Sequence, residues 1–475
     1  MAGQYLASRG VDVNKEMARI QFDDNSSQTG EHAGRVLSKI IAARLPRQEA
    51  KELFDITIAD GLVSSIERHD PNIPSSNHLQ NVLDAHGQLL APSLCHAHVH
   101  LDKCFLLQHP KYSDMTIESG SFKEAMELGA KAKERFEHDD LVTRGSRLID
   151  ESIEAGVTAC RAFVEVDEVA EMKCVDAAVE LKQKYGKACE IQICAFAQLA
   201  LFSGEDGGAY RRELMQKAMQ NPNVHVLGST PYVEDGLDKM KQNIEWIVER
   251  AIEGEAHLDL HLDYSLESGS TPMIWHVLEE LHRQKWATRN STRSICLGHC
   301  TRLTLFTKEE WKKLQHASKG LPISFVGLPT SDLFMMGRPD AEDEKQGVRQ
   351  RGTLQIPHVI EEYGFQGAIG INNVGNAFTP YGNCDPLTLA CYGVGIYHAG
   401  TQKDTEMLYE CVSTRAKQAT GLGSAELEIR VGGQADFVLV GSHEKSRSER
   451  RAIWEVIYDP GPHRKTIYKG VLLGS

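Results

Sequence analysis

The sequence predicts an α/β protein: a TIM (β/α)8 barrel with a small β-sandwich formed by both chain ends. Three observations carry this. Past Asp102, short apolar runs alternate with amphipathic helical stretches. About eight such runs occur, the number a parallel barrel needs. Both chain ends read instead as strands joined by turns.

The elements follow in order. Residues 1–35 are polar with little periodicity and read as an N-terminal arm or oligomer contact. Residues 36–92 and 428–475 are assigned to the sandwich, and 93–427 to the barrel. LSKIIAARL and FDITIADGLVSSIE are expected as strands, with Asp60-Gly61 as a hairpin turn. VLDAHGQLLAPSL runs into a histidine cluster. LVTRGSRLIDESIEAG is an amphipathic helix ending at Gly156, and VTACRAFVEV is a buried strand. EIQICAFAQ, VHVLGSTPYV, HLDLHLD, SICLGHC, PISFVGLP and GAIGINN continue the strands, with helical stretches between them. At the C-terminal end, GGQADFVLVGS, AIWEVIYDPG and RKTIYKGVLL are expected as strands, and SHEKSRSERR as a solvated loop.

Bulk composition narrows the function classes. The chain has 475 residues, 41% of them hydrophobic, enough for a large domain and an accessory one. A net charge of -14 repels a phosphate backbone, so no nucleic-acid partner is expected. A small neutral or cationic substrate fits. No run of about 18 apolar residues occurs, so no membrane span is expected. The N-terminus lacks a signal-peptide pattern, and Cys95, Cys104, Cys160, Cys174, Cys189 and Cys194 form no CxxC pair. Reduced thiols and a cytoplasmic location are expected, in a homo-oligomer.

The densest chemical signal is CHAHVHLDK. His96, His98 and His100 alternate, which would place all three on one face of the first barrel strand. Neutral imidazoles at i and i+2 can grip one divalent cation and leave the rest of its shell open. In HLDLHLDY, His261 and Asp263 end a later strand, while His257 reads as a packed histidine. His299 ends the strand in LGHCTRL, and barrel chemistry gathers at strand C-termini. Asn372 and Asn373 end GAIGINN, where their amides either bind metal or substrate or serve the turn. Gln198 ends another strand with an amide suited to a heterocycle. A histidine-held metal makes hydroxide available near neutral pH for attack on an amide or amidine-like carbon. A carboxylate or histidine then moves the proton to the leaving nitrogen.

These blocks resemble the cytosine deaminase branch of the amidohydrolase superfamily and the related N-isopropylammelide amidohydrolases. The resemblance runs from about Leu37 to the end. It rests on HxHLD at His98, His100 and Asp102, AFxQ at Gln198, and GSTPYVEDG at 228–236. HxD at His261 and Asp263, GH at His299, the stretch Pro329–Arg338 and the loop Pro380–Gly382 complete it. It implies a metal-dependent hydrolase of C–N bonds with one Zn or Fe(II) bound by His98, His100 and His261. It implies that His299 bonds the metal's water and that Gln198 contacts the substrate. Asn372 is the fourth candidate ligand, and Lys103, Asn372 and Asn373 are further candidate substrate contacts.

Two positions depart from the pattern. Tyr264 stands where the family keeps a proton-shuttling Glu, and Asn372 where it keeps a metal-binding Asp. Asparagine takes no proton at neutral pH, and tyrosine is a poor acid–base group with a pKa near about 10. Asp102, Asp263, Glu165 and Glu267, in that order, are the candidate replacements, with Tyr264 itself retained as a catalytic candidate. A non-hydrolytic metal enzyme (decarboxylase, lyase or isomerase) and a catalytically silent homologue are the alternatives.

Overall fold

The computed structural model describes residues 34–49, 51–72, 81–337, 351–441 and 450–474. The arm expected over 1–35 lies almost wholly outside them, as do most of SHEKSRSERR and Arg338.

Eight parallel strands follow one another around a single sheet. They are β7 (Leu94–His100), β8 (Val157–Glu165), β9 (Glu190–Ala197), β10 (Val224–Ser229), β11 (His257–Leu262), β12 (Ile295–His299), β13 (Ile323–Gly327) and β14 (Gln366–Ile369). The sheet closes where the chain leaves β14: the Asn372 N–H donates to the His98 carbonyl at 3.1 Å, and the His100 N–H donates to the Asn372 carbonyl at 2.8 Å. Most of these strands are buried along their whole length. One face meets the helices and the other fills the barrel, hence continuous apolar runs rather than alternation. The helix His138–Glu154 shows the matching pattern, burying Leu141, Leu148, Ile149 and Ile153 on one stripe.

The two ends supply two further sheets. One orders β1 (Arg35–Val36), β17 (Val471–Leu472), β16 (Arg464–Tyr468), β15 (Phe437–Val440) and β6 (Leu89–Pro92). The other orders β4 (Leu62–Arg68), β3 (Phe54–Ala59), β2 (Lys39–Ala43) and β5 (Val82–Asp84). Ile40, Ile56 and Leu83 from the second sheet share one core with Phe437, Leu439 and Ile467 from the first. Asp60 and Gly61 both adopt positive φ, 51° and 75°, as the tight turn between β3 and β4 requires.

One expected strand is a helix. Ile453–Tyr458, within AIWEVIYDPG, is helical and buries Ile453, Val456 and Ile457. Its branched and aromatic residues suggest a strand, but their i, i+3, i+4 spacing onto the core decides. Three helices also occupy a stretch with no assigned elements: Pro386–Ile396, Gln402–Cys411 and Thr414–Thr420. The last closes the barrel floor, with Ala416 and Ala419 against Cys95, Ala97, Cys296 and Ala368. Among the described residues no helix is long and apolar enough to cross a membrane.

Candidate metal centre and active site

The expectation for β7 needs one correction. His96 does not share a face with His98 and His100. A β-bulge lies between His96 and Val99 in the pairing with β8. The extra residue inverts the alternation. Cys95 and Ala97 therefore face the barrel interior, while His96 turns outward and meets Ser152 Oγ of the helix at 3.0 Å. Burial pushes His96 down to about 4.

His98 and His100 point inward and meet His261 from the end of β11. The His261 Nε2 lies 3.1 Å from His98 Nε2 and 3.2 Å from His100 Nε2. Nitrogens about 2.0–2.1 Å from one tetrahedral zinc sit roughly 3.3 Å apart, so the donor set fits a single ion. This is the cluster of three potential ligands found among the described residues. Burial, with neighbouring positive charge, holds all three imidazoles well below 6.5, in the neutral form a metal needs. Phe163 stacks on His98 at 3.9 Å and Phe196 lies 4.3 Å from His261, fixing the ring planes. Gly370 is required here: a Cβ at that position would come within 3.0 Å of the His98 Cβ and carbonyl oxygen.

Below the histidines lies a fully buried ion pair. Arg161 Nη1 meets Asp259 Oδ2 at 2.7 Å, and Arg161 also bonds Gln192, Ser294 and the Thr420 carbonyl. Asp259 Oδ1 has no hydrogen-bond partner and stands 4.0 Å from His98 Nδ1, also unpartnered.

The pocket above the histidines is lined by His100, His261, His299, Tyr264, Asn372 and Asn373, with Lys103 and Gln198. Asp263, His299, Cys300 and Asn372 all hold left-handed φ, between 48° and 66°. Such backbone clusters at functional sites. His299 Nδ1 pairs with Asp332 Oδ1 at 2.7 Å, and Thr353 donates to Asp332 Oδ2 at 2.6 Å. Asn372 Nδ2 donates to Ser331 Oγ at 2.8 Å, and Ser331 is tied to Thr379 at 2.6 Å. Asn372 Oδ1 is left buried and unpartnered.

Several candidates land elsewhere. Asp263 does not face the pocket: its two oxygens accept the Met273 and Ile274 N–H groups at 2.7 and 3.1 Å, fixing the start of the helix Ile274–Arg283. Glu267 is exposed. Asp102 accepts the Glu165 N–H at 2.8 Å and lines a neighbouring cavity. Glu165 is held by Lys103 at 2.6 Å and by Lys133 at 2.8 Å. Lys103 also donates to Gln198 Oε1 at 3.1 Å, so that amide oxygen is occupied. Asn373 Oδ1 accepts from Asn376 at 2.8 Å. Tyr264 does line the pocket, 4.2 Å from the His299 ring, but burial raises its hydroxyl well above 10.

Asp332, Ser331, Phe122, Tyr232 and Phe378 were not singled out by sequence reasoning. Asp332 had one usable signal, Pro329 opening a helix directly after β13. Phe122 opens the helix Phe122–Lys133, Tyr232 lies in the short helix Pro231–Val233 within the block GSTPYVEDG, and Phe378 sits in a turn.

No family model matches the chain. The chain is 21% identical over 399 residues to the N-isopropylammelide isopropyl amidohydrolase of Pseudomonas sp. (strain ADP), covering 83% of this chain and 89% of that one. Its fold is similar to 5-methylcytosine deaminase from Klebsiella pneumoniae liganded with 5-fluorocytosine, with TM-score 0.78, 22% identity, and 92% and 97% of the two chains covered. It is also similar to N-isopropylammelide isopropylaminohydrolase from Burkholderia multivorans, with TM-score 0.71, 20% identity, and 92% and 98% covered. Sequence likeness along most of the chain and the structural match agree: the chain has the fold of these deaminases and amidohydrolases and is similar to them along most of its length.

Proposed function

We propose that the chain hydrolyses a C–N bond of a small cyclic amide or amidine-like substrate at a site holding one divalent ion. The observation that carries this is the convergence of His98, His100 and His261 Nε2 atoms at the barrel's C-terminal mouth. Asn372 Oδ1, aimed by Ser331, is suited to be the fourth, neutral ligand. A bound Zn or Fe(II) supplies Lewis acidity and brings the pKa of water toward about 7.

The chain's own groups do the rest. His299 donates Nδ1–H to Asp332, which leaves Nε2 to accept a proton in the pocket and pass it to the leaving nitrogen. The paired carboxylate stabilises the imidazolium so formed. This dyad takes the part that Tyr264 and Asn372 do not play. The Gln198 amide N–H, Lys103 and Asn373 orient the substrate, and Phe122, Tyr232 and Phe378 wall off water.

A second reading is favoured by one fact: among the described residues, no carboxylate lines the metal pocket. A decarboxylase, lyase or isomerase needs only the Lewis acid. Release of ammonia or an amine from aminopyrimidines, triazines and cyclic amides decides between them. Purified protein with no stoichiometric metal, and no gain on adding zinc, refutes both and leaves a silent binding protein. His98→Ala and His261→Ala should each abolish metal binding, and retained stoichiometric metal in either overturns the ligand assignment.

A further inference from the structure

Hydrogen bonds around the metal pocket fix which end of each buried amide is left for a ligand. Lys103 is 5% exposed and Gln198 7%. An ammonium has no acceptor, so Gln198 must present Oε1 to Lys103, at 3.1 Å. That leaves the Gln198 NH2 at the pocket wall, with no partner among the described residues. Asn373, also 5% exposed, is fixed in the same way. Asn376 Oδ1 accepts the Phe378 and Thr379 N–H groups at 3.0 and 3.1 Å, so Nδ2 is its donor end. That donor meets Asn373 Oδ1 at 2.8 Å, which leaves the Asn373 NH2 over. Lys103 uses two of its three N–H groups on Glu165 and Gln198. Its nitrogen otherwise stands 4.8 Å over the Phe378 ring.

Two hydroxyls join these three donors. Tyr232 and Tyr264 line the same pocket with ring centroids 5.6 Å apart. Among the described residues neither hydroxyl has a hydrogen-bond partner. Burial raises both well above 10, so both stay protonated and able to donate. Set against these five groups are Asn372 Oδ1, assigned to the ion, and the free Nε2 of His299. Ser331 Oγ is already engaged by Asn372 and Thr379. Charge points the same way. Among the described residues no carboxylate lines the pocket, and its four candidate ligands are neutral, so a bound divalent ion keeps its full charge there. The acidic chain as a whole favours a neutral or cationic solute, but this pocket reverses that preference. Each donor that a ligand buries and leaves unpaired costs about 1–3 kcal/mol. A ring edge rich in oxygens avoids that loss, and an amino-substituted edge does not.

We propose that the substrate is an oxo-substituted heterocycle bound as its anion, with its oxygens against Gln198, Asn373, Lys103 and the two tyrosines. Tyr264 sets this preference, because it offers a neutral donor where a glutamate would offer a charged acceptor. The proposal rests on the reading of this pocket as the reacting site. The open space is about 20 Å³, room for one water, so the ring displaces the half-buried Phe122 and Phe378 side chains. A substrate oxygen then takes the place of the Phe378 ring beside the Lys103 ammonium.

The test titrates barbiturate (an oxo-rich anion), uracil (neutral and oxo-substituted) and cytosine (neutral and amino-substituted) into the zinc-loaded full-length protein at pH 7. Calorimetry is run on wild type, Tyr264→Phe, Tyr264→Glu and Gln198→Glu, each checked for wild-type zinc content as evidence of folding. Barbiturate should bind wild type at least about tenfold tighter than uracil or cytosine. Tyr264→Phe should narrow that margin by about threefold or more, and each glutamate variant should erase it. Equal binding of the three rings by wild type, or a preference for cytosine, overturns the proposal. An unchanged margin in either glutamate variant also overturns it, since the ion alone would then select the anion. Barbiturate binding as expected, with no ammonia or amine released from any ring or cyclic amide, overturns the proposed hydrolysis and leaves the donor pocket standing.

Discussion

Asp259→Asn tests how the barrel floor holds the metal site. Asp259 is fully buried between Arg161, at 2.7 Å, and the free Nδ1 of His98, at 4.0 Å. Metal-bound histidines usually donate their second nitrogen to such a carboxylate, and losing that partner typically weakens metal binding about 10–100-fold, or roughly 1.4–2.7 kcal/mol. The same change leaves the Arg161 cation without its counter-charge. Breaking a buried pair costs about 3–5 kcal/mol. Asparagine keeps an acceptor, and Gln192 and the Thr420 carbonyl remain, so the low end is expected. Zinc affinity is measured by chelator competition, and stability by urea unfolding with chelator present. The double variant Arg161→Met/Asp259→Leu removes both charges and separates the effects: stability should recover relative to Asp259→Asn, while zinc binding stays weak. Zinc affinity within about twofold of wild type in Asp259→Asn, beside a large stability loss, would refute the positioning role.

Three further outcomes are expected. Asp332→Asn should lower kcat by about 10²–10⁴-fold with zinc content unchanged, and an unaltered pH–rate profile would remove the dyad from the mechanism. Asn372→Asp should raise any hydrolytic rate if a missing base limits the enzyme, whereas an unchanged or lower rate means the site is adapted to a neutral ligand. His257 accepts the Ser294 N–H at 2.9 Å and is pushed down by burial to about 3. Its native form is neutral, so below about pH 6.5 the unfolded chain takes up a proton that the folded chain refuses, and stability falls with pH over that window. Between pH 7 and 5 this amounts to about 2 kcal/mol, which His257→Asn should abolish in urea midpoints; an equal loss in the variant would mean that another group sets the acid limit.

The sequence made the barrel legible because parallel strands buried on both faces are written as apolar runs, and the helices between them as stripes. His98, His100, His261 and His299 were legible because strand ends at one mouth meet in space. What strand periodicity could not show was an interruption of the period. The bulge after His96 adds one residue and changes which histidines point inward, yet leaves no mark in HAHVH. Asp263 looked catalytic beside His261, but its φ of 49° turns it to the next helix. Asp332 lies 33 residues from His299, and such pairs form only through tertiary closure. The helix Ile453–Tyr458 shows branched residues obeying burial rather than propensity.

The two unusual positions are best understood together with Asp332. An aspartate at 372 would place a negative charge on the metal itself, lowering its Lewis acidity while serving as base. Asn372 keeps all candidate ligands neutral, so a bound ion retains its full charge and acidifies water more strongly. Tyr264, with its hydroxyl raised by burial, adds no charge either. Among the described residues, the carboxylate hydrogen-bonded to a pocket histidine then stands behind His299, where Thr353 and the Leu328 carbonyl's helix turn hold it in place. Proton transfer is thereby moved from the metal's own shell to an imidazole one step away. That arrangement favours substrates whose leaving nitrogen is already basic, since a histidine dyad delivers a proton less readily to a poor base than a carboxylic acid does.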